Sequence, residues 1–294
     1  MKRTACAIIM ILVSLLILSS CSEKSGSIYL IGVSDGLSYS AVADKIDKEY
    51  SAQLTGSDFN DTSAVAAYDI VVNGEAASGM YQKSRHNFNT SVILDYYKGQ
   101  NGDVVFAVSR DDHKLGYYSK SYPHDESLPV LCTVEEGKDI AVTFLESYTD
   151  IGNYTMTGSG SFGYDGSGVY LYTFQRYLDD IATGDTIHIR VDSRRNIVCE
   201  YKNYSVGEFA GVTLPEGFSL GRSMDAVETK AGEMWSAAAA SDGTASSAPD
   251  FEVLRDTCCL VRTEKGKLAL AADVNVARKD ANLKDRVTML MIID

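Results

Sequence analysis

Proline is scarce in this sequence, with four residues in 294, and no long run of like charge is present. Disordered proteins are commonly rich in proline and in unbalanced charge, so these two absences argue against a disordered body. The chain is longer than a typical single domain of about 100 to 150 residues. It therefore allows one large domain or two to three small ones, each with its own core.

Basic residues are in the minority. The chain has 27 Lys and Arg against 40 Asp and Glu, for a formal net charge of −13. Without residues 1–20 it has 25 basic residues against 40 acidic ones, for a net charge of −15. An acidic surface repels phosphate backbones, so we expect no nucleic-acid partner.

Short signatures of several enzyme classes are missing as well. The sequence has no C-x-x-C pair, no H-E-x-x-H and no Walker loop. These are the local signs of zinc or redox sites, metalloproteases and nucleotide-binding loops. The letters G-x-S-x-G of a serine-hydrolase elbow occur at residues 32–36. A catalytic triad stays open, because its members need be neighbours only in space. We expect a protein that is not an enzyme and that holds no cofactor and no metal.

One stretch matches a cofactor motif in its letters only. Residues 158–163, GSGSFG, follow the G-x-G-x-x-G pattern of dinucleotide-binding loops. Such a loop works because it opens a helix whose N-terminus receives the pyrophosphate. Here the chain continues as YDGSGVYLYTFQRY, which predicts a turn and then a strand. We interpret the stretch as part of a flexible hairpin.

The histidines do not form a recognisable metal-binding pattern. Asp111-Asp112-His113 and His124-Asp125-Glu126 could each offer oxygen and nitrogen ligands. Both fall in predicted turns, where such residues are commonly only solvated. His188 stands on the polar side of an alternating strand beside Arg190, and we expect it to be exposed.

The N-terminal segment has the layout of a signal peptide. Lys2 and Arg3 precede an apolar or small-residue run over 5–20, which ends at Cys21. Leu18-Ser19-Ser20-Cys21 resembles the lipobox of bacterial lipoproteins. This resemblance implies that cleavage makes Cys21 the mature N-terminus, with a lipid on its thiol. The alternatives are an ordinary secretory leader and a short uncleaved anchor.

The lipoprotein prediction fixes the expected location of the body. Residues 1–20 are then a lipoprotein signal peptide, and 21–27 a short lipidated tether. Each methylene buried in a bilayer gains about 0.8 kcal/mol, so two or three chains such as palmitate would hold the protein stably. We expect the body at the outer face of the bacterial cytoplasmic membrane, or at the outer membrane in a two-membrane bacterium.

The body contains four further cysteines: Cys132, Cys199, Cys258 and Cys259. An oxidising compartment permits disulfides between them, but the spacings do not require any. Period-two alternation places Cys199 on the apolar side of a strand with Ile197 and Tyr201, as a buried free thiol. The adjacent Cys258 and Cys259 should point to opposite sides of a strand.

Helical periodicity appears three times. Thr133-Val134-Glu135-Glu136 is a capping box, and the apolar residues after it predict a helix over 134–149. A second helix is predicted to begin near Ser223, with acidic residues in its first turns. A third, less regular pattern repeats every four residues from Val42 to Leu54.

Strand patterns and turns complete the predicted fold. Alternating or β-branched segments occur at 92–97, 170–174, 186–192, 268–276 and 287–293. Gln100-Asn101-Gly102-Asp103 is the clearest hairpin turn. We predict an α+β fold of antiparallel sheets with helices packed on one face, and repeated helix-then-β-meander units as an added expectation. The units are an N-terminal α+β region at 28–126, a middle unit at 127–212 and a C-terminal α+β unit at 213–294.

Three stretches between residues 104 and 210 predict, in this order, a β-hairpin, a capped helix and three further strands: VSRDDHKLGYYSKSYP, TVEEGKDIAVTFLESY and GVYLYTFQRYLDDIATGDTIHIRVDSRRNIVCEYKNY. The order resembles PepSY-like domains of bacterial envelope proteins, although the turn from Asp192 to Asn196 lacks the glycine usual there. The resemblance makes 127–212 a PepSY-like unit and implies an antiparallel sheet with helices on one face. It also implies a non-catalytic role outside the membrane, often proposed as binding or restraining peptidases, and it brings no catalytic residues.

These observations favour binding over catalysis. We expect a lipid-anchored extracytoplasmic binding or inhibitory module that contacts an envelope protein such as a peptidase. Sheet edges and tyrosine-bearing hairpins would make the contact by strand addition. The alternatives are a surface hydrolase with a dispersed active site and a carrier of a small apolar or glycan ligand.

Overall fold

The computed structural model describes residues 28–33, 57–87, 90–123, 125, 127–163, 166–241, 251–263, 265–277 and 284–293. In this part of the chain fifteen strands belong to one sheet. The strands are β1 (Ile28–Val33), β2 (Ser57–Phe59), β3 (Ala67–Val72), β4 (Glu75–His86), β5 (Ile93–Lys98), β6 (Val104–Ser109), β7 (Leu115–Lys120), β8 (Tyr154–Ser161), β9 (Val169–Leu178), β10 (Ile181–Asp192), β11 (Ile197–Lys202), β12 (Phe251–Val253), β13 (Cys259–Arg262), β14 (Leu268–Ala277) and β15 (Lys284–Ile292). The helices are α1 (Val134–Glu146) and α2 (Leu220–Ser241), with 3₁₀ turns at Ile151–Asn153 and Arg255–Thr257.

The strands follow the order β1-β15-β14-β13-β10-β11-β7-β6-β5-β4-β2. Three branches leave this path: β12 pairs with β14, β3 pairs with β4, and β9 joins β8 to β10. All pairs are antiparallel except β10 with β13. The hairpin predicted at 100–103 is confirmed, since it joins β5 to β6 with Gly102 in the left-handed conformation (φ 74°).

The predicted α+β class is wrong. Strands dominate the described residues and form one mixed sheet, with two α-helices in the same part of the chain. Strand β10 is 12 residues long and joins the predicted units into one sheet. Because β9 pairs along one edge of β10, β11 and the parallel strand β13 share the other edge. Local patterns do not reveal such a shared edge, and the helix predicted from Val42 to Leu54 lies outside the described residues.

Helix α1 begins where its capping box predicts. The Glu136 carboxylate accepts from the Thr133 N–H at 2.7 Å, and the Thr133 hydroxyl accepts from the Glu136 N–H at 3.3 Å. The buried side of α1, which includes Phe144 and Leu145, packs on the sheet, where the rings of Phe144 and Tyr201 lie 5.5 Å apart. The helix ends at Glu146 rather than 149, because the Ser147 N–H turns back to the Phe144 carbonyl.

A second core lies between helix α2 and the C-terminal strands. Val227 and Ala231 of α2 pack with residues of β13, β14 and β15, among them Leu270 and Met289. The helix begins at Leu220, slightly before the start predicted near Ser223. No helix in the described part of the chain is long and apolar enough to cross a bilayer.

The four cysteines of the body are free thiols. Cys258, directly before β13, and Cys259, the first residue of β13, pack in different clusters, as the predicted opposite orientation requires. The prediction for Cys199 is wrong. The register shifts so that Val191 pairs with Val198 while Arg190 pairs with Glu200. Cys199 therefore occupies a bulge, and Val198 takes the core position.

Candidate functional site

The β3–β4 hairpin lies across the sheet rather than extending it. Its turn, Asn73-Gly74, has φ values of 54° and 76°, as the tight turns of two-residue hairpins require. A Cβ atom on Gly79 of β4 would lie 2.8 Å from Phe106 Cε1. Glycine is thus the residue that lets the hairpin rest directly on the aromatic core.

Polar contacts fasten the tip of this hairpin. The Asn73 side-chain amide donates to the Val198 carbonyl of β11 at 2.8 Å. Lys120 of β7 forms an ion pair with Glu75. Val72 is 2% exposed and belongs to the core beneath α1. The hairpin tip is therefore held at a fixed distance from helix α1.

A groove separates the two elements, and we call it the α1–β3 groove. Its larger compartment has a volume of 590 Å³ and lies between Ile140 and Thr143 of α1, Val71 of β3 and Ile197 of β11. The smaller compartment, of 360 Å³, lies along β3 toward Leu115 of β7. Val71 is 63% exposed, so the groove has an accessible apolar wall.

Tyr148, just beyond the end of α1, links the two walls of the groove. Its hydroxyl donates to the Val71 carbonyl at 3.0 Å. Burial raises the pKa of Tyr148, so the phenol stays protonated and keeps its donor. Both residues line both compartments, and their hydrogen bond marks the boundary between them.

The same bond reveals the orientation of the β3 backbone. In an antiparallel hairpin, alternate residues bond to the partner strand and the others point away from it. Val72 closes the two-residue turn with Glu75, and Ile70 pairs with Ala77. The N–H and C=O groups of Asp69 and Val71 therefore point into the groove. Within the described residues β3 pairs with β4 alone, so this edge can accept an added strand.

The charges around the groove are few and mixed. Asp139 is the charged residue of the larger compartment, whereas Asp69 and Lys114 stand around the smaller one, beside His113. The His113 ring lies 5.8 Å from the ring of Tyr68. This arrangement can bind an extended peptide through backbone hydrogen bonds, with an apolar side chain in the larger compartment.

Sequence patterns did not predict this site, and Asn73-Gly74 was not among the predicted turns. The available signal was the Asn-Gly pair between the apolar residues Val71-Val72 and the segment Glu75-Ala76. That signal predicts a hairpin, but not its position beside α1.

The candidate metal ligands of the predicted turns have other contacts. Asp112 accepts from the Ser109 hydroxyl and pairs with Lys114 at 2.6 Å. Asp125 accepts from the Ser127 N–H at 3.0 Å. Within the described residues no group of three or more potential ligands is arranged to hold a metal ion.

Some predicted residues lie elsewhere. Cys21, His124 and Glu126 are outside the described residues. The prediction of an exposed His188 is wrong: the residue is half-buried, and its Nδ1 lies 3.2 Å from the Thr173 hydroxyl. Residues 158–161 of the GSGSFG stretch belong to β8, which forms a hairpin with β9, so the hairpin interpretation is confirmed.

Comparisons with known proteins do not show a family for this chain. No protein-family model matches the chain, and no curated protein matches it. Among solved structures, the chain is similar to the C-terminal domain of YpeB from Bacillus megaterium, with 8% identity over 78% of this chain and 84% of that one. The TM-score is 0.35, which is too low to carry an argument about function, so the PepSY-like resemblance stays a prediction.

Proposed function

We propose that this protein is a non-catalytic, lipid-anchored module outside the bacterial membrane that binds an extended segment of an envelope protein, such as a peptidase. The observation that carries this proposal is the α1–β3 groove. There the outward backbone groups of Asp69 and Val71 stand beside an apolar compartment of 590 Å³.

A bound segment would extend the β3–β4 hairpin by one strand. Its backbone would pair with Asp69 and Val71, which supplies affinity independent of sequence. Its alternate side chains would point toward the compartment floor, where Ile140 and Ile197 favour an apolar residue. The Val71 carbonyl would then accept a hydrogen bond from a backbone N–H of the segment. The Tyr148 hydroxyl would either share this carbonyl or turn to another acceptor.

Site-specific crosslinking in intact cells tests the proposal. A photoreactive residue replaces Val71 or Thr143, on the two walls of the groove, or Tyr177, which is 41% exposed on β9. We expect the same partner adduct from Val71 and Thr143 and none from Tyr177. An equal adduct from Tyr177, or turnover of a substrate by the purified protein, would contradict the proposal.

A proline substitution separates backbone pairing from side-chain packing. Val71→Pro removes the N–H that faces the groove, while the hydrogen bonds of β3 to β4 at Ile70 and Val72 remain. We expect it to abolish the adduct from Thr143. Val71→Ala keeps the N–H and should retain most of the adduct; if both variants behave alike, strand addition is wrong.

A further inference from the structure

The sheet face opposite α1 carries a cross-strand row, in which Ala107 at the middle is fully buried in a small cluster with Val206. The register from β4 to β8 aligns Lys83, Tyr96, Ala107, Tyr117, Lys202, His188, Thr173 and Gly158. The next parallel row on the same side aligns Lys98, Val105, Ser119, Glu200, Arg190, Leu171 and Gly160. We call these two rows, with Arg85 of β4, the second face.

The second face is basic in an acidic protein. Its cations are Lys83, Arg85, Lys98, Arg190 and Lys202, and the carboxylates in contact with them are Asp58 and Glu200. Five cations and two carboxylates give this face a net charge of +3, whereas the whole chain carries −13. Each carboxylate is shared by two cations, so the face retains positive charge.

Two arginines on this face are only partly paired. The Nε atoms of Arg85 and Arg190 are buried without a hydrogen-bond partner within the described residues, so a partner could reach only their terminal nitrogens, and the Arg85 Nε lies 3.7 Å from Asp58. Arg190 gives one terminal nitrogen to Glu200 at 2.8 Å, and its guanidinium lies 3.5 Å from the centroid of the Phe162 ring. A guanidinium that stacks on a ring and gives one terminal nitrogen to a carboxylate keeps its other terminal nitrogen for a further carboxylate.

The behaviour of His188 agrees with a positive local potential. Burial lowers the pKa of His188, and Lys202 and Arg190 lower it further, although Glu200 acts in the opposite direction. His188 is aligned with Lys202 across β10 and β11.

The accessibility of the cations decides between a membrane surface and a short acidic segment. Screening limits both partners to charges within a Debye length of about 8 Å at physiological salt. The side chains of Arg190 and Lys202 are only 28% and 26% exposed, so single carboxylates of a peptide reach them more readily than a planar bilayer does. The rings of Tyr96 and Tyr117, 5.8 Å apart, pack in a small apolar cluster with Ala107 and Val206, which fixes the middle of this face.

We propose that the second face binds a carboxylate-rich peptide segment of a protein partner. The site lies on the opposite side of the sheet from the α1–β3 groove and does not depend on it. A partner could therefore occupy either surface alone.

Fluorescence anisotropy with labelled decaglutamate and the purified full-length protein tests the inference. We expect binding that weakens as salt rises, because it depends on exposed ion pairs. Replacing both lysines of the first row, Lys83→Gln with Lys202→Gln, should raise Kd by about fivefold or more. Lys138→Gln, on helix α1 and paired with Glu135, removes one charge elsewhere and should leave Kd unchanged.

A second variant and a second probe complete the test. Lys98→Glu reverses an exposed charge of the second face without touching the core, and it should weaken binding whatever the double variant does to folding. Absence of decaglutamate binding, or equal loss with Lys138→Gln, would overturn the inference. Binding to phosphatidylglycerol vesicles without binding to decaglutamate would assign the face to a membrane instead.

Discussion

A Cβ atom on Gly137 of helix α1 would lie 2.5 Å from the hydroxyl oxygen of Tyr172 on β9. Tyr172 is fully buried, and its hydroxyl donates to the Val134 carbonyl at 2.6 Å. The helix therefore rests on this phenol with no room for a methyl group. Since α1 forms one wall of the α1–β3 groove, this contact sets the position of that wall.

Gly137→Ala should destabilise the protein. The new methyl group must displace the Tyr172 hydroxyl or the helix, at a cost of about 1–3 kcal/mol for overpacking. The gain in helix propensity of about 1 kcal/mol offsets part of that cost. Urea unfolding followed by circular dichroism measures the free energy of unfolding.

Gly221→Ala in the first turn of α2 is the matched control. Its Cβ would meet only the Ser219 hydroxyl, at 4.0 Å. We expect this variant to be as stable as the parent or slightly more stable. If both substitutions had the same effect, the close contact at Gly137 would not govern the helix position.

Asn73 has two separable roles at the hairpin tip. Asn73→Gly keeps the left-handed conformation but loses the hydrogen bond to Val198, which is worth about 1 kcal/mol. Asn73→Ala loses the same hydrogen bond, and the positive φ costs alanine about 1–2 kcal/mol more. We expect the alanine variant to lower the free energy of unfolding more than the glycine variant. The reverse order, measured by urea unfolding, would show that the positive φ at residue 73 does not govern the stability of the turn.

Local signals predicted local structure well. The capping box at Thr133 and Glu136 fixed the start of α1, because both partners are three residues apart. The groove depends instead on Asn73 reaching Val198, 125 residues away. The bulge that displaces Cys199 and the parallel pairing of β10 with β13 likewise depend on distant strands. Sequence periodicity contains no information about either, which explains why the strand positions were predicted but the single sheet was not.

The lipid anchor is tested by labelling. Cys21→Ala should leave an unprocessed or released protein without fatty-acid label, because no thiol remains at the cleavage site. Cys6→Ala, within the apolar leader, is the matched control and should keep both label and membrane retention. Palmitate labelling followed by membrane fractionation reads out both variants. Normal cleavage and retention of the Cys21→Ala protein would refute the anchor.

His188 should make stability depend on pH. Its pKa is lowered in the folded state, chiefly by burial and then by Lys202, so the folded protein binds fewer protons than the unfolded chain. The stability contribution is therefore fully present above the ordinary histidine pKa of about 6.5 and is lost as pH falls below it. His188→Gln has no such titration. Between about pH 7.5 and about pH 5.5, the Tm of the parent should fall more than that of the variant. Parallel Tm curves, or an imidazole NMR titration at or above the ordinary value, would contradict the buried, cation-flanked position of this ring.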